Sequence, residues 1–416
     1  MVRRNFWINV LDGVLFSAGL AFTSEAAVLP LFVAEVSSSP LPLAALGASA
    51  LGGRALGRLL GAALGLDPPW SRDAFLALSA LPRVATTLLC LAPAMPGPAA
   101  LWVCLASVGL FFVTLGVNIP VWVDFIAAVV PGDRRGRLMG WRSTLGSGVA
   151  VLSTLAASFL LGVPSPFGYL ACFALGATCY WLSFACLAAT DMSNPIPSPE
   201  TSAQKKPPRG LAFYRLLGEV ARACFPFLIA RSTLAGGTLA TAFVVVAARD
   251  RFGLPAGEAN LLALAIVAGP LFTGVFLGRL ADRAGSAPVY LVGGLAGAVG
   301  AFALVVAPSV PVYLVGLLLL GSMVIVSGVG DMTMAFRVGH GGPGYRRAAV
   351  ASVNLALLPA GLLGPLLGGA LVRAGGPSTA FLVAGLFALA GGCCTAVTAA
   401  RLLATPDRLG GPSHAR

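Results

Sequence analysis

Long apolar stretches recur twelve times along this chain, near 6–33, 41–64, 73–95, 98–128, 138–162, 166–190, 217–248, 257–281, 286–307, 310–336, 346–372 and 376–403. Crossing a bilayer as a helix takes about 20 predominantly apolar residues. None of the stretches has the ~10-residue, period-two alternation of an outer-membrane barrel strand. Composition agrees: 57% of residues are hydrophobic and only 10% are charged, against about 25% charged in an ordinary soluble domain. So few charges cannot cover a water-exposed surface. Soluble enzymes, nucleic-acid binders and disordered scaffolds are thereby excluded, and the chain reads as an all-α polytopic membrane protein.

The net charge of +12 is a topology signal. With the N-terminus inside, the inner side holds Arg3, Arg4, Arg72, Arg134, Arg135, Arg137, Arg142, Lys205, Lys206, Arg209 and Arg215. Arg279, Arg283, Arg337, Arg346, Arg347, Arg401, Arg408 and Arg416 fall there too, whereas the outer side receives only Arg249, Arg251 and Arg373. This positive-inside asymmetry predicts a multi-pass protein of the cell (plasma or inner) membrane with both termini cytoplasmic. All eight cysteines fall inside predicted spans without C-x-x-C spacing, so neither a disulfide framework nor a zinc site is indicated.

Residues 191–215, with five prolines and clustered polar groups, interrupt the apolar pattern. The expected organisation is an N-terminal six-helix bundle over 1–190, a cytoplasmic linker over 191–216, and a C-terminal six-helix bundle with a short tail over 217–416. Weak internal correspondences follow one order in both parts. Asp124 and Asp331 end the fourth and tenth spans, Asp12 and Arg231 sit at similar depth in the first and seventh, and Gly57-Arg58-Leu59-Leu60 echoes Gly278-Arg279-Leu280-Ala281.

This 6+6 arrangement with a cytoplasmic central loop resembles the major facilitator superfamily of secondary transporters. The best local match is GRLADRAG, Gly278 to Gly285, similar to that superfamily's loop between spans eight and nine, and PGDRRGRLMGWR, Pro131 to Arg142, resembles its basic loop between spans four and five. The first-half copy of the loop motif is degenerate: Gly61 stands where the aspartate would be, or Asp67 has drifted from it. The stretch GLLGPLLGG, Gly361 to Gly369, resembles an antiporter motif but falls in span eleven rather than five. The resemblance implies two pseudo-symmetric bundles of six helices that alternate access to a site between them.

Chemistry by this chain itself is not expected. There is no G-x-x-x-x-G-K-[ST] phosphate loop, the two histidines His340 and His414 stand outside any ligand-spaced cluster, and no cofactor or metal is implied. What remains are charges inside spans, each costing roughly 2.5–3.5 kcal/mol at a helix centre on insertion scales unless it faces a partner or a water-filled cavity. Asp12, Glu25, Arg83 and Arg231 are the first candidates for substrate or coupling-ion contact, with Asn118, Trp122 and Asn354 beside them. Asp12 and Glu25, thirteen residues apart, point about 220° apart around a helix. Arg231 cannot shed its charge and needs an anion: Asp12 across the pseudo-twofold axis, or a substrate group. Arg83 is expected to pair with Asp124 or a lipid headgroup, and Arg54 and Arg58 to snorkel to the cytoplasmic interface. Asp124, Arg134, Arg135, Arg137, Arg279, Asp282, Arg283 and Asp331 are assigned to a cytoplasmic gate. Gly53, Gly57, Gly61 and Gly65, and Gly293 with Gly297, form small-residue stripes suited to close helix packing.

The function expected from these features is secondary active transport of a small organic solute, coupled to protons or another ion in a lipid environment. The cavity spans offer many Phe, Leu and Ala but few polar groups, which favours proton-coupled efflux of an amphipathic compound. A lipid scramblase or flippase, a solute uptake carrier, and a non-transporting receptor or assembly subunit are the alternatives. A receptor would have no cavity, with Asp12 and Arg231 facing neighbouring helices.

Overall fold

A computed structural model of the protein describes residues 2–63, 72–192, 211–323, 326–331, 333–334 and 343–404. Gly65, Asp67, Lys205, Lys206, Arg209, Arg337, His340 and the tail after Ala404 lie outside the described residues, as do the side chains of Arg346 and Arg347. Among the described residues there is no strand. Nine helices are long and apolar enough to cross a membrane, and the last of them makes two passes. Its turning point is Gly376, at φ 79° and ψ 176°. The reversal is visible in its contacts, because Leu239 packs against Gly368 before the turn while Leu234 packs against Gly391 after it. With Pro40–Ala63 and the shorter Val310–Ser322, the passes number twelve. An even count brings both chain ends out on one side, called here the termini face; the opposite side is the far face.

Spans two to six are Pro40–Ala63, Arg72–Leu89, Gly97–Val129, Gly132–Leu160 and Phe167–Ala189. Spans eight and nine are residues 256–284, in two segments, and Ser286–Val306. Gly285, the final residue of the GRLADRAG motif, joins them at φ 81°, a backbone region that excludes most side chains. Span ten joins Val310–Ser322 to a π-turn over Val326–Gly330, and spans eleven and twelve are the two arms of Pro343–Ala404.

Spans one and seven are broken. Span one is Val2–Phe22 followed by Val28–Val36. Span seven is Phe225–Gly236, four turn residues, a 3₁₀ turn over Thr241–Phe243, and Val244–Phe252. The sequence explains both. Thr23-Ser24-Glu25 puts three polar side chains where the helix would need apolar ones, and Ser24 turns its hydroxyl to the Ala26 amide at 3.3 Å, an alternative to the helical ladder. Gly236-Gly237-Thr238 removes side chains from one turn, and the Thr238 and Thr241 hydroxyls each donate to a backbone carbonyl at 2.8 Å.

The linker region contains one element absent from the sequence expectation. Leu211–Ala223 is a separate helix ahead of span seven, which itself starts at Phe225 rather than near 217. Phe213 and Val220, both 3% exposed, recur on one face of it at helical spacing.

The buried core divides in a way that matters for function. One large cluster lies toward the far face and mixes both halves, with Leu31, Leu43, Leu46 and Phe112 beside Leu239, Phe243, Leu262 and Phe381. Toward the termini face the cores are separate. Phe6, Phe75, Phe125 and Leu138 belong to the first half, and Phe213, Phe227, Tyr290, Met334 and Ala399 to the second.

Candidate functional site

The first half holds a charged centre at depth. Asp12 of span one is 2% exposed and accepts from Arg142 of span five at 2.6 Å and from the Ser183 hydroxyl of span six at 2.7 Å. Arg83 of span three reaches the same place. Its guanidinium donates to Ser183 Oγ at 3.1 Å, the Ser79 carbonyl at 2.8 Å and the Tyr180 carbonyl at 3.4 Å. The Arg142 guanidinium also bonds the Asn9 carbonyl and lies over the Trp122 ring at 4.7 Å. Gly13 makes room for it, since a Cβ there would come within 2.6 Å of Arg142 Nε.

The second half holds a counterpart. Arg231 of span seven, 3% exposed, forms a two-pronged pair with Asp331 at 2.8 and 2.9 Å, the planar geometry that suits guanidinium and carboxylate. Tyr290 of span nine donates to Asp331 Oδ1 at 3.1 Å. Asp12 and Arg231 therefore do not pair with each other: each is neutralised inside its own half. Asp331 is half-buried in this ion pair.

Two arginines of span two occupy the boundary between halves. Arg54 turns back to pair with Glu25 in the break of span one, and its guanidinium covers the Phe112 ring at 4.1 Å. Arg58 crosses to span eleven and donates to Asn354 Oδ1 at 3.2 Å. Neither snorkels to the membrane surface, because each finds an oxygen at depth. Arg83 likewise pairs with neither Asp124 nor the lipid interface; it is buried among hydroxyl and carbonyl oxygens near Asp12.

The other predicted residues sit as follows. Asn118 exchanges hydrogen bonds with Ser79 at 3.3 and 3.4 Å, and Trp122 lies under Arg142. Asp124 is half-buried near the termini-face end of span four. Arg135 caps the end of span four through the carbonyls of Val130 and Ala127 at 3.0 and 2.7 Å. Arg134 and Arg137 join Arg3, Phe6, Trp7 and Trp141 around a cleft of ≈ 300 Å³ on the termini face. Arg279, Asp282 and Arg283 are exposed at the end of span eight.

Sequence reasoning missed Arg142, Ser183 and Tyr290. Arg142 was grouped with the loop arginines because it closes the basic-loop motif PGDRRGRLMGWR, although it lay just inside the expected span over 138–162. The helix starts at Gly132, which carries Arg142 about 15 Å along its axis at 1.5 Å per residue. Ser183 and Tyr290 are single polar groups in apolar spans, a pattern shared by many packing residues.

Contacts across the boundary are lopsided. At the far face, Gly257 of span eight abuts the Ser158 carbonyl of span five, where an added Cβ would meet it at 2.4 Å. Asn260 donates to the Thr154 carbonyl at 3.2 Å and Ser158 Oγ at 2.9 Å. Spans two and eleven meet through Ala44 and Gly369, Gly47 and Pro365, and Gly52 and Leu362. Toward the termini face, Arg58 donates to Asn354 across the boundary. Beyond this contact, Gly136, Gly140 and Gly148 of span five and Gly278 of span eight have no atom within 4 Å of an added Cβ. The expected glycine packing is present inside each half, with Gly57 against Gly116 and Gly297 against Met323.

Two helical bundles thus share a core at one face and have separate cores at the other, with broken spans and paired charges between. The comparisons agree. The family model of the Major Facilitator Superfamily matches residues 225–415. Among solved structures the chain is similar to an auto-inhibited POT family peptide transporter (TM-score 0.70, 12% identity, covering 96% of this chain and 97% of that one). It is also similar to the nucleoside transporter NupG (TM-score 0.68, 14% identity, 96% and 99%), and to the xylose transporter XylE from E. coli in a partially occluded inward-open conformation (TM-score 0.63, 16% identity, 94% and 96%). No curated protein matches in sequence. Residues 225–415 are thus similar to the Major Facilitator Superfamily, and the chain as a whole shares the multi-pass helical fold of these solved transporters.

Proposed function

We propose that the chain exports a small amphipathic organic solute by alternating access, driven by proton entry, with residues 1–190 and 217–416 rocking about the 191–216 linker. The single observation that carries the rocking motion is the division of the core: one cluster shared by both halves at the far face, separate clusters at the termini face. Positive-inside charge bias supports a cytoplasmic termini face in the cell membrane, so this conformation is open to the cytoplasm. Glu25 is the favoured proton carrier. It sits in the break of span one, and its Oε2 is buried with no partner while Oε1 holds Arg54. Protonation would release Arg54, and a released arginine can report the proton to the neighbouring boundary. Asp12, held by both Arg142 and Ser183, is given a coupling role within the first half rather than the proton. Arg134, Arg137, Arg279, Asp282 and Arg283 are proposed to meet when the termini face closes.

The test is flux in liposomes holding the purified protein. Amphipathic solute should move against its gradient when an inward proton gradient is imposed, and Glu25→Gln should uncouple the two. Equal flux with and without the proton gradient would remove the coupling, and exchange of labelled phospholipid without solute flux would favour a scramblase.

A further inference from the structure

At depth in the described spans stand Arg54, Arg58, Arg83, Arg142 and Arg231 with the carboxylates Asp12, Glu25 and Asp331, and with Asp124 half-buried in span four. Asp12 pairs with Arg142, Glu25 with Arg54, and Asp331 with Arg231. Arg58 and Arg83 hydrogen-bond neutral oxygens instead, with Asp331 attracting Arg58 and Asp12 attracting Arg83 across space. An arginine inside a membrane span marks an ion or substrate pathway by default.

These two arginines differ. Arg83 is 3% exposed and satisfied by three oxygens within its own half, so no solute can reach it. Arg58 is half-buried at the boundary, and among the described residues its one hydrogen bond goes to Asn354 Oδ1. A guanidinium has five N–H donors, so most of its fork is uncommitted. Asn354 is held in place by its own amide, which donates to the Val350 carbonyl at 2.8 Å. It lies eleven residues into span eleven, about 16 Å along the helix axis, where the parted termini face gives access. Arg54 stands one helical turn away on the same face, and like charges so spaced repel unless an anion lies between them.

We infer that Arg58, with Arg54 beside it, binds an anionic group, carboxylate or phosphate, of the transported solute, which takes the place of Asn354 Oδ1 on the guanidinium. The inference rests on the transport reading and narrows the amphipathic solute to one with an acidic head. A guanidinium fork matches the paired oxygens of both groups.

The test is the thermal unfolding midpoint of the full-length protein in neutral detergent at constant ionic strength. The probes are acetate, citrate, inorganic phosphate and dioctanoyl phosphatidic acid, with sucrose and tetraethylammonium as uncharged and cationic controls. At a hundredfold excess over its dissociation constant, a bound anion should raise the midpoint by several degrees, on the order of 5 °C. The rise should vanish in Arg58→Gln, shrink in Arg58→Lys, and persist in Asn354→Ala, which frees the guanidinium. Arg58→Lys guards against a misfolded Gln variant. An equal rise in wild type and both Arg58 variants, or a rise only with the controls, overturns the assignment. A rise with phosphatidic acid alone overturns the solute and gives the site to a lipid headgroup. Anion stabilisation without solute flux in liposomes would remove the transport reading and leave the site; proton-driven flux unchanged in Arg58→Gln would remove the site and leave transport.

Discussion

The two halves solve one electrostatic problem in opposite ways. In the second half a single arginine and a single aspartate form a balanced pair, Arg231 with Asp331, steadied by Tyr290. In the first half one aspartate serves two arginines, Arg142 directly and Arg83 through Ser183. A balanced pair joins its helices and does nothing more when its surroundings change. An aspartate shared among spans one, five and six, with an arginine on each side, keeps a net positive charge and can be redistributed. The second-half centre is thus a lock, and the first-half centre a device that can change partners as span five moves.

The strongest way to break this contrast is Arg231→Gln. It leaves half-buried Asp331 with only the more distant Arg58 for a cation, and losing one member of a buried pair costs about 3–5 kcal/mol. The purified variant should unfold far below the wild-type temperature, and Arg231→Gln with Asp331→Asn should recover much of the loss. If the single variant is as stable as wild type, the lock is not a lock. Asp12→Asn should be milder in stability, because Arg142 keeps the Asn9 carbonyl and the face of Trp122. Its expected signature is kinetic: solute flux in liposomes falling at least tenfold with the protein still folded. Normal flux in Asp12→Asn would reduce the first-half centre to a second structural pair.

The sequence made the architecture legible and left the pairing obscure, for a physical reason. Hydropathy is a property of a whole span, so twelve segments stood out, and the ends of spans four, six and nine fell within two residues of the observed helices. Pairing is a property of side-chain direction, which depends on helix rotation and on where each helix starts. Starting span five at Gly132 rather than 138 carries Arg142 from the edge of the span to the depth of Asp12. Likewise Arg58 read as a snorkelling residue because it stands five places from the end of its span, and only the approach of span eleven shows that Asn354 is nearer than water. The break in span one was written in Thr23-Ser24-Glu25. It was hidden because three polar residues barely lower the mean hydropathy of the long apolar stretch over 6–33.

The seal at the far face gives an intermediate test. Gly257→Val would drive a side chain into the Ser158 carbonyl, and that backbone cannot yield without separating spans five and eight. The expected result is a shift toward the conformation open at the far face. A cysteine placed at position 161 should then react faster with a membrane-impermeant maleimide, about five- to tenfold, corresponding to roughly 1–1.4 kcal/mol of population shift. Gly278→Val, by contrast, meets open space here. It should leave this conformation as stable as before and slow only the closure of the termini face.

The finest test of the contrast is Tyr290→Phe. The ring packs against Phe227 at 5.7 Å between centroids, and that packing survives the substitution, so only the hydrogen bond to Asp331 is lost. A hydrogen bond to a charged acceptor is worth about 1.5–3 kcal/mol, but Arg231 still satisfies both carboxylate oxygens, so the loss should fall toward the lower end. If the second-half centre is a static lock, Tyr290→Phe lowers the unfolding midpoint by a few degrees and leaves flux untouched. The equivalent removal in the first half, Ser183→Ala, breaks the relay between Asp12 and Arg83 and should change flux more than stability. Were the two substitutions to swap these signatures, the roles assigned to the halves would have to be exchanged.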